Sequence, residues 1–304
     1  MTTNNRQRAR TLAPPSAREV AQSPPPAPAG SPGFDAYTPQ EIARRVETVG
    51  VTKARLPLLT MATLGVLAGG FIGLGALYYT VITSDQSLGF AVGRVLGGVA
   101  FSLGLILVVV AGAELFTGNS LIVMAWVARR ITIVELLRCW LVVFCANLAG
   151  AIGLVALVAL SRQWQLAGDN VGRQAVRIAA AKTALPVSDA FFRGILCNVL
   201  VCLAVWLALA GRSVTDKVLA VVFPISAFVA AGFEHSVANM YFIPLGIALR
   251  DRVASADLPG VQQLTWGGFA QNLLVVSAGN IVGGGVMVAL IYYLVYRRGA
   301  TPEK

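Results

Sequence analysis

Apolar stretches long enough to cross a lipid bilayer limit what this sequence can fold into. A helix needs about 20 apolar residues to cross, and we place six such spans at about 57–82, 97–126, 133–160, 189–211, 215–249 and 268–297. Only 12% of the 304 residues are charged and the mean hydropathy is +0.72, which excludes a soluble globular domain. The sequence therefore predicts an all-α integral membrane protein.

The two ends of the chain differ in composition from the six apolar spans. Residues 1–37 are polar and rich in proline, so we expect a disordered cytoplasmic tail and no signal peptide. At 38–41 (TPQE), an N-cap threonine, a proline and a glutamate predict a helix with a capping box. We divide the chain into this tail (1–37), an amphipathic helix against the membrane surface or a neighbouring subunit (38–55), a transmembrane channel domain (56–298) and a cytoplasmic C-terminal tail (299–304).

The positive charges predict how the chain is oriented in the membrane. There are 24 Lys and Arg residues against 14 Asp and Glu, and with the N-terminus placed inside, 16 of the 24 fall on the inner side. Both termini are therefore predicted to be cytoplasmic, in the inner (plasma) membrane. The longest external segment is the loop at about 161–188. Because the charges flank apolar spans and form no single basic face, we expect no nucleic-acid partner.

The cysteines favour neither a disulfide nor a metal site. Cys139, Cys145, Cys197 and Cys202 all lie in apolar spans without a CxxC spacing, and we interpret them as small buried side chains. A membrane redox enzyme is a rival interpretation. However, a single histidine cannot supply two haem ligands, and the cysteines lack an iron–sulfur spacing. We expect no enzyme, cofactor or metal here.

A motif that occurs twice predicts an internal repeat. Residues 112–119 (GAELFTGN) and 232–239 (GFEHSVAN) both read G-x-E-x-x-x-small-N, and 147–150 (NLAG) matches 280–283 (NIVG) in the spans that follow. Chance resemblance among small residues of membrane helices is the alternative. With three spans in each half, the second half enters the membrane with opposite orientation. We therefore expect a 3+3 inverted repeat with broken second and fifth helices that meet near the midplane.

Three ionisable residues lie about mid-way along the second and fifth predicted spans, where a charge is costly and often functional. Glu114 and Glu234 occupy equivalent positions, and we interpret them as structural braces whose carboxylates accept free backbone N–H groups of a broken helix. His235 is the only histidine, and Leu115 stands at its equivalent position. It is either a hydrogen-bonded structural group or a working group of the pore.

These motifs resemble those of the formate/nitrite transporter family. The matching stretches are FSLGL (101–105) continuing to ELFTGN (114–119), LCNVLVCLAVW (196–206), GFEHSVANM (232–240) and GNIVGGG (279–285). The resemblance covers about residues 40–298. It implies an aquaporin-like fold, a homopentamer of six-helix protomers, and one pore per protomer for small monovalent anions such as formate, nitrite or hydrosulfide.

The same resemblance implies roles for single residues. His235 is the expected central histidine, with Thr117 and Asn198 as its polar neighbours, and Lys182 attracts anions in the vestibule. The resemblance places apolar constrictions at Phe101, Leu105, Leu115, Phe116 and Phe228, and braces at Glu114, Glu234, Asn119 and Asn239. For Leu105, ordinary helix packing is the alternative, whereas Phe116 and Phe228 each lie near a break, where a ring can close a pore by excluding water.

A transport mechanism follows from the cost of desolvation. An unpaired anion pays on the order of tens of kcal/mol to enter a dry apolar ring, and a neutral acid pays far less. We expect Lys182 and other external basic groups to gather the anion. A proton then reaches it from His235 or through water that His235 orders, and the neutral acid crosses. A neutral-solute channel for water, ammonia or glycerol is the alternative, although the Asn-Pro-Ala repeats of aquaporins are absent.

Overall fold

The computed structural model describes residues 36–298, so residues 1–35 of the predicted N-terminal tail (1–37) and the whole C-terminal tail (299–304) lie outside the described residues. Within that range every regular element is a helix and there is no strand. The main helices are α1 (Pro39–Ala54), α2 (Leu58–Thr83), α3 (Phe90–Gly112), α4 (Gly118–Val127), α5 (Ile133–Ser161), α6 (Asn170–Thr183), α7 (Val187–Ala210), α8 (Val214–Ala231), α9 (Ser236–Leu249) and α10 (Trp266–Tyr296).

Six of these helices are long and apolar enough to cross a membrane, namely α2, α3, α5, α7, α8 and α10. They expose large apolar side chains, such as Leu59 and Leu160 at 80% of their surface and Phe223 at 72%. Apolar exposure on this scale is favourable against lipid or another subunit, and it is unfavourable against water. The prediction of an all-α membrane protein with six spanning helices is confirmed.

Helix α1 begins with the capping box that the sequence predicts. The hydroxyl of Thr38 accepts the Glu41 backbone N–H at 3.4 Å, and the Glu41 carboxylate accepts the Thr38 backbone N–H at 2.7 Å. This backbone bond, together with one from the Thr38 hydroxyl, holds the pKa of Glu41 below its usual value. The Tyr37 amide donates to the Ala210 carbonyl at 3.2 Å, which joins the start of α1 to the end of α7.

The structure differs in two places from the predicted spans and loops. Helix α3 begins at Phe90 instead of about residue 97, because Arg94 fits into the helical bundle by donating to the carbonyls of Val229 and Ala230 at 3.0 and 2.9 Å. The predicted external loop at 161–188 contains helix α6. One side of α6 is buried against α9, where Ala179 packs closely beside Gly246.

The chain leaves helical geometry at two places inside the bundle. Helix α3 ends at Gly112 and α4 starts at Gly118, while α8 ends at Ala231 and α9 starts at Ser236. Gly112 and Gly232 have φ angles of +81° and +76°. Only glycine adopts this left-handed conformation without strain. These two glycines turn the chain into the segments that carry Glu114 and Glu234.

Candidate functional site

Two large cavities occupy the described part of the protein. The Lys182 cavity has a volume of about 450 Å³ and is lined by α3, α6, α8 and the start of α9. The Lys53 cavity, of about 330 Å³, is lined by α1, α3, α4 and α7. Helix α1 precedes the start of α2, whereas α6 contacts its end, where Gln174 donates to Thr83 at 3.2 Å. The cavities therefore lie at opposite ends of α2.

A lysine neutralises the buried glutamate at each break. The Lys53 ammonium lies 3.0 Å from Glu114 Oε1, and the Lys182 ammonium lies 2.9 Å from Glu234 Oε1. An asparagine amide binds the other carboxylate oxygen in each case, Asn119 to Glu114 and Asn239 to Glu234, both at 2.8 Å. Each buried carboxylate therefore has a cation and an amide donor, which offset part of the cost of removing it from water.

The free backbone N–H groups at the breaks have partners other than the glutamates. Asn147 Oδ1 accepts the Phe116 N–H at 2.9 Å, and Asn280 Oδ1 accepts the Ser236 N–H at 3.0 Å. At these two N–H groups the acceptors are asparagine amide oxygens, and not the carboxylates that the sequence predicted. A short neutral amide on a facing helix reaches the N–H, while each carboxylate binds a lysine.

His235 forms hydrogen bonds through both ring nitrogens. Its Nδ1 accepts the Ala238 backbone N–H at 3.1 Å and so caps α9, and its Nε2 lies 2.8 Å from Thr117 Oγ1. Because Nδ1 is an acceptor, the proton of the neutral imidazole is on Nε2, which donates to Thr117. The hydroxyl hydrogen of Thr117 then remains available to another acceptor.

The three predicted polar pore residues lie together. Asn198 Nδ2 is 3.2 Å from the Thr117 carbonyl, 3.1 Å from Ser120 Oγ and 2.6 Å from the Asn280 carbonyl. Among the described residues its Oδ1 has no partner. His235 lines the Lys182 cavity, while Gly118, the residue after Thr117, lines the Lys53 cavity. Thr117 therefore lies between His235, in the lining of one cavity, and Gly118, in the lining of the other.

The predicted apolar constrictions separate into two groups. Phe101 and Phe228 line the Lys182 cavity, with ring centres 5.7 Å apart, and the Phe228 ring stacks on His235 at 5.9 Å. Leu105 and Leu115 line the Lys53 cavity.

Phe116 lines neither cavity. Its ring packs against Phe144 at 5.0 Å and Trp140 at 6.4 Å, both on α5. These contacts place the Phe116 ring against α5, and a constriction at Phe116 stays a prediction.

Two residues of the cavity linings, Lys53 and Phe242, are not among those predicted from the sequence. A signal for Lys53 exists, because residues 53–57 (KARLP) and 182–186 (KTALP) share the pattern K-x-x-L-P. Phe242, which stacks near Phe101 at 6.5 Å, has no comparable signal because α9 is apolar on all sides.

Apolar helices that can cross a membrane, with a cavity near each end of α2, are typical of a multi-pass membrane channel or transporter. The sequence matches the formate/nitrite transporter family over residues 40–294. It is 41% identical to the formate channel FocA of Escherichia coli (strain K12) over 275 residues, or 87% of this chain and 96% of the relative. It is 37% identical to a probable formate transporter of Methanothermobacter thermautotrophicus, over 87% of this chain and 98% of the relative.

Solved structures give the same assignment. A pentameric formate channel with formate bound is similar with a TM-score of 0.70 and 39% identity, covering 79% of this chain and 97% of that one. An FNT family ion channel has a TM-score of 0.74 and 30% identity, covering 84% and 98%. The chain belongs to the formate/nitrite transporter family.

Proposed function

We propose that this protein carries formate across the membrane as the neutral acid, through a pore in each protomer. The observation that carries the proposal is the Thr117–His235 hydrogen bond, which is buried between two cavities that each have aromatic or aliphatic side chains in their lining. Relatives named formate channels, and a similar structure that holds formate, support this substrate. Nitrite and hydrosulfide are the next candidates because they share the size and charge of formate.

We also propose that the pore is built by a 3+3 inverted repeat with broken helices. The contacts at the two breaks support this, because lysine, glutamate and asparagine are paired in the same way at both. In addition, Asn147 donates to the carbonyls of Gly65 and Glu114, and Asn280 donates to those of Gly194 and Glu234. Gly65 and Gly194 each lie 12 residues after the lysine of their half. In this proposal Glu114, Glu234, Asn119 and Asn239 brace the breaks.

The walls of the Lys182 cavity favour passage of a neutral species. Lys182 and the neighbouring arginines attract the anion, and the rings of Phe101, Phe228 and Phe242 then present an apolar constriction on the path to Thr117. Because desolvating an anion there is costly, a proton must join it first. On the Lys53 side, Leu105 and Leu115 form the second apolar constriction.

The tautomer of His235 favours water as the route of that proton. The imidazole accepts the Ala238 N–H at Nδ1, and giving up the Nε2 proton would leave an imidazolate anion. We therefore propose that a proton from the external solution reaches formate through water in the Lys182 cavity, and that His235 positions Thr117. The free hydroxyl hydrogen of Thr117 then donates to the carbonyl oxygen of the passing acid, and the unpartnered Asn198 Oδ1 is a candidate acceptor for its O–H.

The location and assembly complete the proposal. We propose a homopentamer in the inner membrane, on the basis of the similar pentameric structure. The excess of Lys and Arg on one side of the spans favours cytoplasmic termini. The Lys182 cavity then opens outward and the Lys53 cavity opens to the cytoplasm, with the pore inside the domain at 56–298.

Uptake of labelled formate into proteoliposomes over a pH series tests the proposal. We expect uptake to rise as the external pH falls, with one proton entering per formate. His235→Asn and His235→Phe should alter this pH dependence and the coupling ratio, since both remove the imidazole Nε2–H that orients Thr117. Phe116→Leu, which changes a ring away from both cavities, is the control and should retain the wild-type pH profile.

Two outcomes would contradict this mechanism. An unchanged pH profile in both His235 variants, with the oligomer intact, would remove the histidine from transport. Passage of water or glycerol without any formate uptake would favour the neutral-solute channel instead.

A further inference from the structure

The two cavities differ in charge. The described residues that line the Lys182 cavity include four cations, Arg94, Arg177, Lys182 and Arg193, and one carboxylate, Glu234, which leaves a formal charge of +3. The Lys53 cavity has one lysine and one glutamate, so its formal charge is zero. Since each lysine is paired with its own glutamate, the excess charge belongs to the three arginines.

These arginines retain donors beyond their protein contacts. A guanidinium has five N–H donors. Arg94 uses two for the carbonyls of Ala230 and Val229, and Arg177 donates to Gln174 at 2.9 Å. Within the described part of the chain neither forms an ion pair. Arg193 lies 3.9 Å from Asp189, and both side chains are about half exposed, a distance and exposure at which pairing is weak. The cavity therefore holds three guanidinium groups without a tightly bound counter-charge.

We propose that the Lys182 cavity is also a binding site for small divalent oxyanions of the sulfate type, held by Arg94, Arg177 and Arg193. Guanidinium groups bind oxyanions through paired, charge-assisted hydrogen bonds. A doubly charged anion gains more from a cavity of this charge than formate does. The volume of about 450 Å³ is ample for such an ion.

The bound divalent anion blocks the cavity because it cannot cross the apolar constriction as a neutral acid, as formate does in the proposed mechanism. One proton makes formate neutral, but one proton leaves a divalent oxyanion with a charge. The apolar rings of Phe101 and Phe228 then stop it, by the desolvation cost that also applies to a bare monovalent anion. This step rests on the proposed function, whereas the binding itself depends only on the arginines.

Uptake of labelled formate into right-side-out and inverted membrane vesicles tests the blocking step. Sulfate is the probe, and chloride at matched ionic strength is the control for screening. On the side of the Lys182 cavity we expect sulfate to raise the formate concentration for half-maximal flux without lowering the maximal flux. On the other side it should have no effect beyond that of chloride.

Arginine variants identify the site. Arg177→Gln and Arg193→Gln should each raise the sulfate concentration for half-inhibition by about tenfold, the factor expected for losing one hydrogen bond to a charged group. Arg252→Gln is the matched control, because this exposed arginine lies in the segment between α9 and α10, away from the cavity lining. It should leave the half-inhibitory concentration unchanged.

Binding of labelled sulfate to the purified protein separates this inference from the proposed function. If formate uptake is absent, the proposed function fails, and weaker sulfate binding in the two arginine variants would still support the site. Equal inhibition from both sides, inhibition matched by chloride, or sulfate binding that survives both substitutions would each overturn the inference.

Discussion

At the scale of single residues, the pore combines contacts that recur with contacts that occur once. Lysine, glutamate and asparagine pair in the same way at both breaks. His235 has Leu115 as its counterpart, and Thr117 has Val237. Thus two polar side chains on opposite breaks meet where the other half supplies apolar ones. In the proposed repeat the two halves are alike in structure. The Thr117–His235 contact makes them differ in chemistry.

Replacing Phe228 should change selectivity, and replacing Phe116 should not. Phe228→Ala opens the ring beside His235, so we expect flux of a larger acid such as acetate to rise relative to formate. Phe116→Ala leaves a void among Phe144 and Trp140, with a loss of about 3 kcal/mol or more in unfolding free energy and an unchanged acetate-to-formate ratio. Competitive uptake and thermal denaturation measure the two effects. An equal change of selectivity in both variants would contradict this assignment.

Removing Lys182 should lower the stability of the protein, because its buried partner Glu234 then lacks a counter-charge. Lys182→Met leaves the Glu234 carboxylate without a counter-charge, and we expect a loss of about 3 kcal/mol in unfolding free energy. Adding Glu234→Gln removes the stranded charge while keeping an oxygen for Asn239, so most of the loss should be recovered. Thermal denaturation of the single and double variants completes the cycle. Additive losses in the double variant would show that the two groups are independent.

At the scale of helices, two short amphipathic elements deliver the lysines. Lys53 lies in the last turn of α1 and Lys182 in the last turn of α6, positions that favour a cation near the carbonyl end of a helix. A proline follows four residues later in both cases and starts the next spanning helix. The K-x-x-L-P pattern thus fixes the distance along the chain between each lysine and the spanning helix that follows it.

The glycines at the breaks should differ in their tolerance of substitution. Both require a left-handed backbone, so alanine costs about 1–2 kcal/mol at either position. At Gly112 an added Cβ meets nothing within 4 Å, whereas at Gly232 it lies 2.8 Å from Arg94 Nη2. We therefore expect Gly232→Ala to lower the melting temperature more than Gly112→Ala, and to disturb Arg94. Equal melting temperatures would show that the Arg94 contact carries no cost.

At the scale of the whole molecule, the outer surface of the spanning helices carries many exposed apolar side chains. The spanning helices leave large side chains exposed over much of the described surface, including Leu274 at 70% and Val295 at 64%. Lipid covers such side chains in a monomer, and neighbouring subunits cover a part of them in an oligomer.

Native mass spectrometry from detergent should give the mass of five chains, each of 31.9 kDa. The expectation rests on the similar pentameric formate channel. The His235 and Phe228 variants should keep this mass, since both positions are buried within one protomer. A monomeric or dimeric mass for the wild-type protein would contradict the proposed assembly.

Hydropathy and backbone chemistry act locally, so the residues alone predict the membrane class, the helical content and the motifs around His235. The family resemblance adds the prediction that Thr117, Asn198 and His235 line one pore, and the structure places Thr117 in contact with both of the others. Three features emerge only in the folded chain: Lys53 pairs with Glu114, asparagines accept the free N–H groups, and Phe242 lies beside Phe101 in the Lys182 cavity. They depend on the rotation of each helix about its axis, which is set by packing between residues far apart in the chain.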